Sequence, residues 1–282
     1  MVAFIGMGLL GSGFVKAMLK RGEKVNVWNR TVAKAKVLEA DGAKAFENIA
    51  DAVKGVERIH ITVSDDQAVD QVLTDASAGF APGVLIIDHT TTTAKGAAER
   101  TEKWQQRGFT YLHAPVFMGP ANALDASGYM LVSGDQELIK RAEPVLSAMT
   151  GKLLNFGTEV NRAAGIKLLG NSFLMFLTAG LSDTLALAQA MDIPAADLVT
   201  LFDTWNPGAM VPGRLKRILA ADFDNPSWEL NMARKDVRLM VEEAGNGDKE
   251  LAYLPAIAVE MDKWIAAGNG NKDWTVIAKD NL

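Results

Sequence analysis

Lys167 stands in the run "GIKLLGN", flanked by Gly165, Ile166, Leu168 and Leu169, with Asn171 four residues on. At helical spacing these two side chains share one face. Apolar neighbours disfavour an ammonium and lower its pKa, so that the group can exchange a proton nearer neutral pH. Such a lysine can donate or accept the proton that accompanies hydride transfer at a carbonyl or hydroxyl, while the Asn171 amide holds the same oxygen. The spacing equally suits a lysine that snorkels along a helix edge with no chemical role. The residues alone leave both readings open.

A second constellation lies near the start of the chain, in "VAFIGMGLLGSG". Val2 to Ile5 read as a buried parallel strand, and Phe14, Val15, Met18 and Leu19 recur at helical spacing beyond the glycines. Strand, glycine turn and helix form a dinucleotide fingerprint. Gly6 permits the tight turn, Gly8 lets the backbone approach a pyrophosphate, and Gly11 lets the helix pack close to the strand. The helix N-terminus offers free N–H groups to the anion, so Gly6, Met7, Gly8, Leu9, Leu10 and Gly11 form the candidate phosphate-binding run. A structural turn without ligand is the plainer alternative.

The next strand, "KVNVWN", ends in Asn29, Arg30 and Thr31, with Lys34 a helical turn further on. A carboxylate at this place would bind the ribose hydroxyls of NAD and repel a 2′-phosphate; a guanidinium pairs with that phosphate bidentately. Cations are unfavourable at a helix start unless an anion compensates them. NADP is therefore the expected cofactor, against the alternative that Arg30 and Lys34 are merely solvated.

These residues need two kinds of scaffold. Strand and helix alternate to about residue 155, with strands expected at 2–5, 24–28, 58–63, 84–88, 109–112, 129–133 and 153–155. Helices are expected between most of them, as in "TVAKAKVLEADG" and "TAKGAAERTEKWQQRG". From about residue 158 the pattern is helical throughout. It begins with one run from Val160 to Met191, and further helices are expected at "PAADLVTLFDTW", "SWELNMARKDVRLMVEEAG" and "LAYLPAIAVEMDKWIAAG". The expected fold is an α/β doubly wound domain of the Rossmann type over 1–157, followed by an all-α domain over 158–282. A helix of near thirty residues spans about 45 Å, more than one small domain covers. It is expected to bridge the domains and to offer apolar faces to a second subunit, making a homodimer or higher homo-oligomer.

At 282 residues, two domains are the natural expectation. With 49% apolar and 22% charged residues the composition is that of a soluble globular protein. A net charge of -5 argues against nucleic acid as a general partner. The absence of cysteine excludes disulfides, thiol nucleophiles and zinc–thiolate centres. The longest uncharged run, between Lys167 and Asp183, is shorter than the roughly 20 residues of a membrane helix. With no signal peptide before the first strand, the cytoplasm is the expected location and no membrane partner is expected. His60, His89 and His113 have no metal-ligand spacing, and no metal is expected. His60 reads as a strand residue; His89 and His113 lie near strand ends, where structural roles outweigh catalytic ones.

The chain resembles the β-hydroxyacid dehydrogenase family (3-hydroxyisobutyrate dehydrogenase-like, within the 6-phosphogluconate dehydrogenase NADP-binding superfamily). The likeness rests on "GMGLLGSG", "WNRT", "DHTTTT", "HAPVFMGP", "GIKLLGN", "ARKD" and "GNGNKDWT", in this order over nearly the whole chain. The resemblance implies that Lys167 is the catalytic acid/base, that Asn171 orients the substrate, and that Val63, Ser64 and Thr91 line the cofactor. It also implies that Lys235, Asp236 and Trp228 close the site from the helical domain, with Lys235 toward the cofactor and the other two toward the substrate.

This chain also departs from the family pattern. Where the family usually reads Asp-Ala-Pro-Val-Ser-Gly-Gly, this chain has "HAPVFMG". Phe117 and Met118 remove a substrate-binding hydroxyl and add bulk, leaving Gly119 of the usual carboxylate-binding set. Asn161 and Ala163 replace glycines that usually precede the lysine. The leading expectation is an NADP-dependent enzyme acting on a β-hydroxyacid or semialdehyde. A reductase of imines or bulkier ketones and aldehydes is the alternative that Phe117 and Met118 favour. A non-catalytic NADP-binding sensor or scaffold is the third reading. Lys167 speaks against imine-reductase relatives and chromatin-associated relatives, both of which the resemblance implies to lack it.

Overall fold

The computed structural model describes all 282 residues. Six short strands form a parallel sheet: β1 (Val2–Ile5), β2 (Val25–Trp28), β3 (Lys44–Phe46), β4 (Arg58–Ile61), β5 (Leu85–Asp88) and β6 (Thr110–His113). Their spatial order is β3-β2-β1-β4-β5-β6. The central strands are apolar on both faces because helices cover both sides. Phe4 and Val27 pack toward the first helix, Leu9–Lys20, with Phe14 and Met18. Ile5, Ile59 and Ile86 pack the other way, against Val69, Leu73 and Trp104.

β1 pairs with β2 on one side and β4 on the other, with Ile5 opposite both Trp28 and Ile61. Chain order reverses across β1, so a crevice opens beyond the carboxyl ends of these strands. Gly6, Asn29 and Thr62 leave the sheet side by side at its mouth.

Three further strands make a separate small sheet: β7 (Val116–Phe117), β8 (Tyr129–Val132) and β9 (Lys152–Asn155). β7 runs antiparallel to β8, and β8 is parallel to β9. The expected strands near 129 and 153 are therefore present, but they do not extend the main sheet. β3 and β7 were not anticipated. The first is a partly exposed edge strand and the second has only two residues, too few to show a period.

By contacts the chain divides into two units, Met1–Ser172 and Phe173–Leu282. The last strand ends at Asn155, while the division by contacts falls after Ser172, beyond the boundary expected after residue 157. The first unit additionally holds the opening turns of the long helix Arg162–Ala190.

The second unit is helical. Its core gathers Phe223, Leu230, Val237, Met261, Trp264 and Val276. Helices Ala195–Thr204, Leu230–Asn246 and Leu254–Trp264 lie where the periodicity places them. Helix Val211–Leu219 was not anticipated. Its Pro212 and Gly213 read as breakers, yet proline is tolerated in a first turn.

Helix Arg162–Ala190 is long and apolar enough to cross a membrane by length and composition, which corrects the run-length argument. Isolated charges interrupt the run without making the helix polar. One of them, Asp183, is only 3% exposed and accepts the N–H groups of Ala252, Tyr253 and Leu254. Burial opposes its charge, but these three bonds prevail and hold the carboxyl below its ordinary pKa.

Candidate dinucleotide and proton-transfer site

Gly6 has φ +98°, and a methyl group there would overlap the Thr62 carbonyl. On Gly11 a methyl would overlap the Gly6 carbonyl. The two glycines therefore let helix Leu9–Lys20 start directly against the end of β1. Gly8 caps that helix with no side-chain bond, leaving N–H groups of its first turn for an anion.

A cleft of about 690 Å³ opens over this turn. Gly6, Gly8, Leu9, Leu10 and Gly11 form its floor. Asn29, Arg30, Thr31 and Lys34 line it after β2, Val63 and Ser64 after β4, and Thr91 after β5. Lys167 and Met118 complete the wall. A single crevice in the first unit thus brings together residues that are far apart in sequence.

Met7 differs from the expectation. Its side chain is 3% exposed and packs in the core, while its N–H donates to Asn29 Oδ1 at 2.9 Å. Asn29 also donates from Nδ2 to the Thr31 carbonyl at 2.9 Å. Its amide thus ties the glycine turn to the end of β2. Lys36 pairs with Glu47, whereas Arg30 and Lys34 are exposed and not ion-paired. Two free cations at the end of β2 suit a phosphate better than a ribose diol.

Lys167 is 8% exposed. Burial lowers its pKa from the ordinary 10.5. Nζ donates to Asn171 Oδ1 at 2.9 Å, and the Phe117 ring centroid lies 4.2 Å from the same nitrogen. Asn171 thus positions the lysine, and its own Nδ2 makes no other bond within the protein. Gly119 N–H donates to Asn122 Oδ1 at 2.9 Å. Within the second unit, Lys235 pairs with Asp236 at 2.8 Å, and Trp228 packs edge-on against Trp274 with 5.8 Å between ring centroids.

Several wall residues escaped sequence reasoning, among them Trp28, Thr62, Gln71, Asp75, Thr90 and Val116. Gln71 and Asp75 bond to each other one helical turn apart, but nothing in their spacing marks a ligand. His89 also lines the cleft, at the end of a buried chain. Arg58 Nε–H donates to His60 Nε2 (3.2 Å), His60 Nδ1–H to His89 Nε2 (2.9 Å), and His89 Nδ1–H to the Ala114 carbonyl (2.8 Å). Only one tautomer of each ring satisfies all three bonds. Burial pushes the His89 pKa down to about 4 and that of His60 well below the ordinary value. Both rings are neutral scaffolding. His113 is buried as well, with Nε2 2.9 Å from the Thr90 carbonyl.

Residues 1–157 match the family model described as the NAD binding domain of 6-phosphogluconate dehydrogenase. The chain belongs to this family. Curated relatives include the cytokine-like nuclear factor N-PAC of Homo sapiens, 30% identical over 247 residues, covering 85% of this chain and 44% of that protein. The chain therefore spans less than half the length of that relative. The 3-sulfolactaldehyde reductase of Escherichia coli (strain K12) is 26% identical, with 98% of this chain and 94% of that protein covered. Among solved structures, the imine reductase from Myxococcus stipitatus in complex with NADP+ aligns with a TM-score of 0.91 at 22% identity, covering all of both chains. The reductive aminase from Aspergillus terreus in complex with NADPH and ethyl levulinate gives 0.90 at 21% identity, covering 100% of this chain and 99% of that one. At such identities the structural likeness establishes the shared fold.

Proposed function

We propose that the protein is an NADP-dependent oxidoreductase that interconverts a carbonyl compound and its alcohol, with Lys167 as the general acid and base. The observation that carries this reading is the buried Lys167 Nζ in the wall of the cleft whose floor is the glycine turn. When bound there, NADPH supplies a hydride to the carbonyl carbon. Lys167, as the ammonium, gives its proton to the carbonyl oxygen and regains one from water. Asn171 Oδ1 holds Nζ in place, and the Asn171 Nδ2 group is free to donate to the same substrate oxygen. In the oxidative direction the neutral amine takes the alcohol proton. Enzymes of the hydroxyacid dehydrogenase type perform this chemistry, and the name of the Escherichia coli relative describes a reductase of one aldehyde.

Arg30 and Lys34 support NADP over NAD. Arg30→Ala should weaken NADPH by about 1–3 kcal/mol, the scale of one charge-assisted contact, and barely change NADH. Fluorescence titration of both nucleotides decides it. Tighter binding of NADH by the unaltered protein overturns the assignment.

The same reading includes a homodimer rather than a bilayer around helix Arg162–Ala190. Leu169, Met175 and Phe176 on this helix are 67%, 68% and 74% exposed, an apolar surface larger than scattered residues account for. Asp183 is engaged by protein backbone, which suits packing against protein better than insertion into lipid. Sedimentation velocity should give a dimer without detergent, and Phe176→Glu should shift it toward monomer. A monodisperse monomer at micromolar concentration contradicts the dimer.

A further inference from the structure

Phe117 stands outside the lining of the cleft, yet its ring centroid lies 4.2 Å from Lys167 Nζ. The tip of the ring is seated against the backbone of Gly170, where any Cβ would overlap it. Gly170 and Asn171 follow Lys167 by one helical turn. One stretch of helix thus supplies the ammonium, the notch for the ring and the amide oxygen that accepts from Nζ. Both partners of the ammonium are uncharged, and the segment Val116–Gly119 carries no ionisable group. On the lysine's own helix the nearest charges are Arg162, which donates to the Phe156 carbonyl, and Asp183, about four turns on. Near the strand ends, Asp88 accepts the Tyr111 hydroxyl, and burial keeps His89 and His113 neutral. Arg30, Lys34 and Asp75 line the cleft without shifting the lysine, which burial alone lowers.

We propose, resting on the reductase reading above, that Phe117 is a positioning residue whose ring face holds Lys167 as the ammonium at the cleft wall. The face of an aromatic ring carries negative charge density, so it attracts a cation and not a neutral amine. Burial works the other way and favours the amine. An amine has no acidic proton to give in reduction, so a buried donor needs a neighbour that keeps it charged. A fixed carboxylate in the place of the ring would do so too strongly, pairing with the ammonium and retaining its proton. The ring and the Asn171 amide favour the charged form without neutralising it, and Asn171 Oδ1 takes only one of the three N–H groups. In the reaction, a hydride from NADPH forms the new C–H bond and leaves NADP+. The C=O π pair takes the Lys167 proton. Water reprotonates the amine, and the ring favours that return.

Trace acetic anhydride acetylates the amine and not the ammonium. The pH dependence of labelling at Lys167, read by peptide mass, therefore reports its ionisation in the protein without any turnover. Phe117→Leu should move the midpoint down by roughly one pH unit, a tenfold lower ratio of ammonium to amine at a given pH. Gly170→Ala should move it the same way, because the new methyl displaces the ring while leaving Phe117 itself unchanged. That variant also serves if Phe117→Leu does not fold. NADPH oxidation with pentanal and with succinic semialdehyde should decline at correspondingly lower pH in both variants. A ring that only fills space would leave the midpoint in place, or would admit water when lost and raise it. Either result in a folded variant overturns the assignment of Phe117 and leaves the reductase reading intact. A parent protein that binds NADPH and turns over neither aldehyde overturns the reductase reading, while the labelling midpoint still decides whether the ring holds the ammonium.

Discussion

Lys167→Ala is expected to fold and to bind NADPH normally, yet to lose about 10²–10⁴-fold of its turnover, the usual worth of a positioned acid or base. In the proposed reaction Nζ acts on the reacting oxygen while the glycine turn and Arg30 would hold the nucleotide, so the loss should fall on kcat. Removing a buried ammonium also removes an unfavourable desolvation, so stability should not suffer greatly. Lys167→Arg should not rescue, since a guanidinium keeps its proton at any pH the protein survives. Burial lowers the Lys167 pKa below 10.5, and this sets the sign of the pH profile. In the reductive direction the protonated form is active, so the rate should fall as pH rises through that lowered value. In the oxidative direction the neutral amine is active and the rate should rise over the same range. A folded Lys167→Ala enzyme that keeps more than about a tenth of the rate contradicts the role. His113, the other conceivable proton source, is 3% exposed, bonds to the Thr90 carbonyl and does not line the cleft. Residual activity would then point to water.

Much of this site is legible in the sequence because its signals are local. Gly6, Gly8 and Gly11 sit within six residues, and their spacing dictates a strand–turn–helix whatever the rest of the chain does. Arg30 is legible for the same reason, as a cation where a carboxylate stands in NAD sites. Lys167 and Asn171 are a helical i, i+4 pair, and the structure joins them by a hydrogen bond.

The rest depends on contacts that no period records. Met7 belongs to the glycine run by position, but the turn sends its side chain into the core and leaves only its N–H for Asn29. The notch at Gly170 exists because the Phe117 ring comes from more than fifty residues away. In the sequence, Gly170 is simply a glycine inside a helix. The capture of Gly119 N–H by Asn122 is equally silent, since an asparagine three residues on is ordinary turn chemistry. In the fold the same division holds. Alternation of strands and helices gives the α/β class, while the order β3-β2-β1-β4-β5-β6 and the separate small sheet come from pairings between distant segments. The long helix teaches a further point. Lys167 and Asp183 shorten its uncharged run, but their charges are accommodated by protein partners, so run length underestimates how apolar the helix is.

Two glycines of the same turn should fail in different ways when changed to alanine. At Gly11 a new Cβ would collide with the Gly6 carbonyl and crowd Thr62 Oγ1, which itself donates to that carbonyl at 3.0 Å. Neither neighbour is the free end of a flexible side chain, so helix Leu9–Lys20 must move off β1. Overpacking of this kind costs about 1–3 kcal/mol, and more when backbone is the obstacle. Gly11→Ala should therefore lower Tm and lose NADPH binding together. Gly8 has φ -76° and ψ -172°, backbone that any residue adopts, and nothing lies within 4 Å of where its Cβ would stand. Gly8→Ala should fold with stability within about 0.5 kcal/mol of the parent, as an unhindered substitution does. It nevertheless puts a methyl group into the cleft at the helix N-terminus, where the pyrophosphate needs bare backbone. NADPH affinity should drop by at least about tenfold, or 1.4 kcal/mol, with no matching loss in Tm. Thermal melts and nucleotide titrations on the two variants separate the effects. If Gly8→Ala binds NADPH as tightly as the parent, the phosphates do not sit on this turn, and the cleft must hold its ligand some other way.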